Sequence, residues 1–221
     1  MGSPKMNIKT SLFAQQALLV IAVVISAIYY QKLPATVPTH WNIEGKVDQY
    51  GSKLTAVVTG PILVLLGIGL TLLLPKISPK KYEISKFEET FAYAMLLVSG
   101  LFLFLSYVIL RASAGGKSDV GETIMFGMFL FFAFLGNILG KIRRNFFMGI
   151  RTPWTLASEP VWDATHRLAG KLFFFGGIAG AILSLLGMPM WGSLALILVL
   201  SFWPVIQSYF IYQRIGDKSS E

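Results

Sequence analysis

The chain has 221 residues, of which 54% are hydrophobic and only 14% are charged. Soluble domains carry about 25% charged residues, so this composition argues against a cytosolic enzyme, a secreted domain and a disordered chain. The absence of cysteine also excludes disulfides, thiolate metal sites and cysteine nucleophiles.

Window hydropathy predicts six membrane spans, each long enough to cross a hydrocarbon layer of about 30 Å. Residues 1–5, which precede the first span, are interpreted as a cloning remnant. The first span is longer than a signal-peptide core and no small-x-small cleavage site follows it, so we expect it to be retained. The predicted spans are residues 12–30, 54–74, 90–110, 123–139, 168–187 and 192–212, in a single membrane domain of residues 1–221.

The distribution of lysine and arginine predicts the orientation. The N-terminus, the second and fourth loops and the C-terminus together carry fourteen of these residues, and the remaining loops carry five. Because positively charged loops stay in the cytoplasm, both termini are predicted to be cytoplasmic. The fold class is therefore an all-α integral membrane protein, a six-transmembrane-helix bundle with one ordered extracellular loop and one amphipathic cytoplasmic segment.

The net charge of +8 is accordingly interpreted as a topology signal with some attraction to membrane lipid, and direct nucleic-acid binding is not expected. No ionisable side chain lies near the middle of a span, which argues against a proton-coupled transporter. The polar residues within the spans are expected to join helices by hydrogen bonds. Two pairs of glycines are expected to bring helices of the bundle close together, and a homo-oligomer face is the alternative for these pairs. These residues are Gln15, Gln16, Asn137 and Gln207, and the pairs are Gly136/Gly140 and Gly176/Gly180.

The extracellular loop, residues 31–53, is expected to form a compact lid of extended pieces and turns. Pro34 and Pro38 restrict the backbone, and the stretches 42–45 and 48–51 have the Asn/Asp-to-Gly composition of turns. His40, Glu44 and Asp48 recur every four residues, which leaves three readings open: a metal site, a hydrogen-bonded polar turn or a partner-binding surface. A single histidine with two carboxylates is a poor zinc set, so no metal is predicted.

The cytoplasmic loop, residues 140–167, contains a basic cluster and then Pro153, which interrupts the chain. Ser158 is predicted to cap a helix that continues through Lys171 into the fifth span. On that helix Trp162, His166 and Ala169 share one stripe, and Asp163 and Arg167 are spaced as an ion pair. The stripe fits either a helix lying against lipid headgroups or a docking surface for a soluble cytoplasmic protein.

The two histidines, His40 and His166, are predicted to lie on opposite sides of the membrane, where they cannot share a metal or a proton relay. No nucleophile, base and orienting residue can be assembled from spacing. The sequence therefore predicts neither an enzyme nor a catalytic residue, and no cofactor.

Two motifs resemble the SdpI family of bacterial six-span membrane proteins. The first loop carries Leu33-Pro34, Val37-Pro38, His40-Trp41-Asn42, Gly45, Asp48 and Ser52-Lys53. The second carries Gly149-Ile-Arg-Thr-Pro-Trp-Thr155, followed by Val161-Trp162, Thr165-His166-Arg167 and Gly170-Lys171. The resemblance covers nearly the whole chain and implies a multi-pass protein of the bacterial plasma membrane.

The resemblance also implies two linked activities: immunity to a secreted antimicrobial peptide toxin, and capture of an ArsR-type transcriptional repressor at the membrane. The alternatives are a small-solute or lipid transporter and a general membrane-stress sensor. The toxin-facing candidates are Pro38, His40, Trp41, Asn42, Gly45, Asp48 and Lys53. The repressor-facing candidates are Arg151, Thr152, Pro153, Trp154, Trp162, His166, Arg167 and Lys171.

Overall fold

Six long apolar helices form the bundle in a computed structural model, which describes residues 6–80, 83–116 and 119–216. Each is long and apolar enough to cross a membrane, so the chain is a multi-pass membrane protein, as predicted. The interpretation of residues 1–5 and the charges counted at Lys81, Lys117 and Lys218 lie outside the described residues. The helices are α1 (Ile8–Tyr30), α2 (Lys53–Ile77), α3 (Glu88–Ser113), α4 (Val120–Leu139), α6 (Glu159–Leu185) and α7 (Met190–Gly216), with a short helix α5 (Pro153–Ala157) before α6.

Two further elements lie between the long helices. Strands β1 (Thr36–Trp41) and β2 (Val47–Ser52) pair as an antiparallel hairpin between α1 and α2. A single 3-10 turn, Ile84–Phe87, precedes α3. The hairpin is the extended part of the lid that the two prolines predicted, within an otherwise helical protein.

The helices pack as two groups of three, α1–α3 and α4, α6 and α7, which meet where α3 contacts α4. A buried glutamine, Gln15, joins the first group. Its amide nitrogen donates to Ser11 Oγ (3.0 Å) and Thr71 Oγ1 (3.1 Å), and its oxygen accepts from Ser99 Oγ (3.1 Å). This hub confirms the hydrogen-bonding role expected of Gln15.

The same expectation is wrong for the other three polar residues. Gln16 and Asn137 are exposed and Gln207 is half-buried, and none of their side chains bonds another helix within the described residues.

Close backbone contact joins α4 to α6. A Cβ atom on Gly170 would lie 2.9 Å from the carbonyl oxygen of Gly136, and one on Gly136 would collide with the backbone of Phe174. The space that a Cβ atom on Gly180 would need is occupied by the ring of Phe129, and the space beside Gly176 is occupied by the side chain of Leu200. Both small-residue pairs therefore serve packing within the chain.

The bundle has two distinct ends. The hairpin, residues 114–116 after α3 and the α6–α7 turn lie at one end, which we call the hairpin side. The starts of α1 and α3 meet at the other end, where the Ile8 amide donates to Glu88 Oε1 (3.1 Å). We call this end the terminal side; the segment 140–158 lies there, because α4 crosses from Gly121 beside Gly45 to Gly140 beside Arg167.

Candidate functional site

Apolar side chains anchor the hairpin to the bundle. Val37 is fully buried and Leu33 nearly so, and they pack in one cluster with Ala56, Val57 and Leu110. These three partners come from α2 and α3. The hairpin is therefore a fixed element over the first helix group, and not a freely moving loop.

Asn42 shapes the hairpin tip. Its side-chain oxygen accepts from the backbone amides of Glu44 (3.0 Å) and Lys46 (2.9 Å), and Gly45 takes a positive φ of 77°. The predicted turn at 42–45 is thus present. The turn predicted at 48–51 is wrong, because these residues lie within β2, where they pair with β1.

One hydrogen bond and one ion pair, both exposed, join polar side chains of the hairpin. His40 Nδ1 lies 2.6 Å from Asp48 Oδ1 across the strands, and Lys46 Nζ lies 2.8 Å from Glu44 Oε2. The four-residue spacing of His40, Glu44 and Asp48 therefore does not gather the three side chains. Among the residues that the structure describes, no three His, Asp or Glu side chains form a group able to hold a metal ion.

The toxin-facing candidates share the hairpin but differ in exposure. His40 and Asp48 are exposed, whereas Pro38, Trp41, Asn42 and Gly45 are half-buried. Lys53, at the start of α2, places its ammonium 4.4 Å from the ring centre of Tyr30. The hairpin thus presents a mainly polar outer face beside a set of partly covered residues.

A pocket of about 380 Å³ lies between the hairpin tip, the start of α4 and the α6–α7 turn. It combines exposed apolar side chains with carboxylates, and we call it the outer pocket. Sequence reasoning missed it, because its parts come from three separate segments with no shared motif. Its lining includes Ile43, Glu44, Asp119, Glu122, Met190 and Trp191.

On the terminal side, the segment 140–158 folds over the first turns of α6, and we call these two parts together the cap. Trp162 and His166 form its centre. Both are fully buried, and their rings stack with centroids 4.0 Å apart. Trp162 Nε1 donates to the carbonyl oxygen of Ile142 (2.7 Å), which ties α6 to the chain leaving α4.

The hydrogen bonds of His166 define its tautomer. Nε2 accepts from the backbone amide of Ile150 (2.9 Å), so it carries no proton, and Nδ1 donates to the carbonyl oxygen of Trp162 (2.8 Å). The neutral imidazole therefore bridges the segment 140–158 and α6. Gly149, with a φ of 99°, approaches the ring so closely that a Cβ atom there would collide with Nε2.

Two residues that sequence reasoning missed hold the rest of the segment. Asn145 is fully buried; its side-chain oxygen accepts from the amides of Phe147 (2.7 Å) and Met148 (2.8 Å), and its nitrogen donates to the carbonyl oxygen of Arg143 (2.8 Å). Arg144 Nη1 donates to the carbonyl oxygens of Leu156 (3.1 Å) and Ala157 (3.2 Å). The Asn before Phe146 is a turn-forming signal that the sequence does contain.

Helix α5 begins with a capping box, in which two threonines each bond the other's backbone amide. Thr152 Oγ1 accepts from the Thr155 amide (3.3 Å), Thr155 Oγ1 accepts from the Thr152 amide (2.9 Å), and Pro153 occupies the first helical position. Trp154 then donates from Nε1 to Ser208 Oγ (2.7 Å), and its ring packs edge-on against Tyr209. The Thr-Pro-Trp-Thr sequence thus fixes α5 against α7.

Three details of the predicted cytoplasmic surface need correction. The helix begins at Glu159 after Ser158, as predicted, but the Ser158 side chain makes no capping bond. Asp163 lies 3.9 Å from Arg143, and not in a pair with Arg167. Trp162, His166 and Ala169 face the protein interior, so this stripe contacts neither headgroups nor a partner in this conformation.

The exposed repressor-facing candidates are fewer than the sequence suggested. Arg151, Pro153, Arg167 and Lys171 are exposed, and Thr152 and Trp154 are half-buried. Arg151 donates from Nη1 to the carbonyl oxygen of Phe146, which holds its side chain against the cap. The exposed candidates on this side of the molecule are therefore mainly basic.

Comparisons with known proteins cover both ends of the molecule. A model of the SdpI/YfhL protein family matches residues 141–208, which include most of the cap, α6 and most of α7. A domain of unknown function, DUF1648, matches residues 17–65, from α1 through the hairpin into α2. No solved structure shows significant similarity to the chain.

A curated relative extends the similarity over most of the chain. Immunity protein SdpI of Bacillus subtilis (strain 168) is 29% identical over 163 residues, which are 72% of this chain and 74% of the relative. The six spans agree with the multi-pass architecture that the two motifs implied. On these matches, residues 141–208 fit the SdpI/YfhL family model, and most of the chain is similar to Immunity protein SdpI.

Proposed function

We propose that this chain is an immunity protein that protects the bacterium making it from a secreted, membrane-active peptide. The observation that carries the proposal is the similarity to Immunity protein SdpI, which extends over 74% of that protein's length. A second part of the proposal is that the chain also captures an ArsR-type repressor on its cytoplasmic side. This part rests on the family resemblance and on the exposed basic surface of the cap.

The outer pocket is the proposed point of contact with the toxin. Ile43 and Trp191 leave 58% and 64% of their surfaces exposed beside Glu44, Asp119 and Glu122. Exposed apolar and aromatic side chains beside carboxylates suit an amphipathic peptide that carries positive charge. The toxin-facing set is therefore extended from the hairpin to the starts of α4 and α7.

For the repressor, the proposed contact is with the exposed residues Arg151, Pro153 and Phe146. Trp162 and His166, being buried, act by holding the segment 140–158 in shape. We infer that α4 links the two ends, since it begins in the outer pocket and ends at the cap after 20 residues, about 30 Å. Coupling requires that the toxin bind one arrangement of the bundle better than another.

Survival of a sensitive host tests the immunity proposal. Cells expressing the wild-type chain, an empty vector or a variant are challenged with the killing peptide of the family, and membrane levels are compared by immunoblot. Ile43→Ser with Trp191→Ala is expected to abolish protection, and His40→Ala with Trp41→Ala to reduce it. Tyr50→Ala is the matched control, because Tyr50 is 65% exposed on the same hairpin but does not line the outer pocket.

Wild-type protein that inserts normally and gives no protection would overturn the immunity proposal for this peptide. Equal loss of protection in the outer-pocket variant and in Tyr50→Ala would remove the outer pocket as the contact point. Protection retained by both would do the same.

A further inference from the structure

A groove with basic, amide and aromatic side chains runs between α4 and α6 on the terminal side. It has a volume of about 590 Å³. The part nearest the terminal end of the bundle is lined by Asn137, Lys141, Arg167 and Lys171. The Asn137 amide is exposed near the end of a membrane-spanning helix and makes no hydrogen bond with any group in the described ranges. A polar amide at that depth is costly unless a ligand or water satisfies it.

The groove concentrates positive charge. Lys141, Arg167 and Lys171 are all exposed, and none forms an ion pair with a carboxylate among the described residues. Asp163 borders the adjoining cleft together with Arg167, but its carboxylate lies beside Arg143. Three cations therefore line one groove without a counter-ion among the residues that the structure describes.

The order of residues along the groove follows the depth of the membrane. Gly140 lies against Arg167, and Gly136 lies against Gly170, so Lys171 is about one helical turn, 5.4 Å, deeper than Arg167. Lys171 is thus level with Asn137 at the end of α4. The rings of Phe174 and Phe175 line the next turn. Arg167 thus lies nearest the terminal end, Lys171 and the Asn137 amide lie about one turn deeper, and the aromatic rings lie deepest, which matches the order of polar and apolar groups in a phospholipid.

We propose that this groove binds one anionic phospholipid. Lys141, Arg167 and Lys171 hold the phosphodiester, the Asn137 amide donates to one of its oxygens, and an acyl chain lies over Phe174 and Phe175. Basic pockets between transmembrane helices favour anionic headgroups, and long cationic side chains reach upward to them. The close approach of Gly136 and Gly170 lets both helices contribute to the same site.

Native mass spectrometry of the full-length protein in detergent tests the proposal. Phosphatidylglycerol and phosphatidylcholine are titrated separately, and the dissociation constant of the first bound lipid is measured. Each cation near an anionic lipid contributes about fivefold in affinity, so we expect phosphatidylglycerol to bind about tenfold or more tightly than phosphatidylcholine. Lys141→Gln, Arg167→Gln and Lys171→Gln together should reduce that preference to about twofold or less.

The matched control removes three exposed cations of the terminal side that lie outside the groove, by Lys9→Gln, Lys76→Gln and Lys80→Gln. It should keep the preference for phosphatidylglycerol. Asn137→Leu, which changes no charge, should weaken the binding of both lipids several-fold, because both carry the phosphodiester that the amide contacts, and should leave the preference for phosphatidylglycerol unchanged.

Three results would overturn the proposal. Equal wild-type affinity for the two lipids would remove the headgroup specificity. Equal losses in the groove variant and in the control would mean that general surface charge attracts the lipid. Displacement of phosphatidylglycerol by glycerol phosphate or inorganic phosphate at the same concentration would make the groove an anion site and not a lipid site. None of these measurements depends on the immunity proposal.

Discussion

Gly149 and His166 are in direct contact, and this contact joins the segment that follows α4 to the start of α6. The absence of a side chain at Gly149 allows the next amide, that of Ile150, to donate to His166 Nε2 at 2.9 Å. One glycine and one imidazole therefore determine where the exposed basic surface of the cap stands relative to the helices.

We expect Gly149→Ala to destabilise the cap, because the new Cβ atom would collide with His166 and the φ of 99° disfavours any side chain. Limited proteolysis of the segment 140–158 and the Tm in detergent measure the effect. Gly115→Ala is the control, since Gly115 has a φ of 86° but open space around it, and it should cost only about 1–3 kcal/mol. Equal effects of the two substitutions would contradict the role of the contact.

His166→Phe should keep an aromatic ring beside Trp162 but leave the Ile150 amide without an acceptor. An unsatisfied buried donor costs about 1–3 kcal/mol. The measurement is the free energy of unfolding of the purified protein in denaturant. His166→Gln, whose side-chain oxygen is able to accept the same bond, should be less destabilising than His166→Phe, and the reverse order would contradict the assigned hydrogen bond.

Gln15→Leu should weaken the contact between α1, α2 and α3, because Thr71 and Ser99 lose their buried partner. Hydrogen bonds between transmembrane helices average about 0.6 kcal/mol each, so a loss of about 1–2 kcal/mol is expected. Thermal unfolding in detergent tests it. The adjacent Gln16→Leu, at an exposed position, provides the control and should leave the Tm unchanged or raise it.

Val37→Ser should release the hairpin from the bundle. Val37 is fully buried against the ends of α2 and α3, and burial of a valine side chain contributes about 1.5–3 kcal/mol. We expect faster protease cleavage within 36–52 and loss of toxin protection at normal membrane levels. Tyr50→Ser, at an exposed hairpin position, should change neither; resistance of the Val37 variant to protease would show that other contacts hold the hairpin.

Arg151→Glu should abolish capture of an ArsR-type repressor while leaving protection from the toxin intact. The readout is the membrane fraction of a fluorescent repressor fusion after exposure to the toxin. Lys80→Glu makes the same charge change at another exposed position of the terminal side and should retain capture. Undiminished capture by the Arg151 variant would remove this residue from the proposed contact surface.

The sequence predicted the six spans because apolar runs are continuous along the chain, and it predicted the helix from 159 because Ser158, Glu159 and Pro160 stand together. It predicted the turn at Asn42 for the same local reason. It could not predict that Trp162 and His166 turn inward, because their partners, Ile142 and Ile150, lie many residues earlier in an irregular segment.

The outer pocket and the α4–α6 groove were not predictable from the sequence for a related reason. Glu44, Glu122 and Trp191 meet only because three connections converge at one end of the bundle. Asn137 was expected to bond another helix, and only the rotation of α4 in the packed bundle leaves its amide facing outward.

The Gln15 hub has a consequence for how the protein is made. All of its partners, Ser11, Thr71 and Ser99, belong to the first half of the chain. The ribosome has therefore produced every group of the hub before α4 is synthesised, so α1–α3 are able to form these hydrogen bonds without a later helix. Cutting the gene in the 114–119 connection and expressing the two halves together should consequently yield an assembled membrane protein.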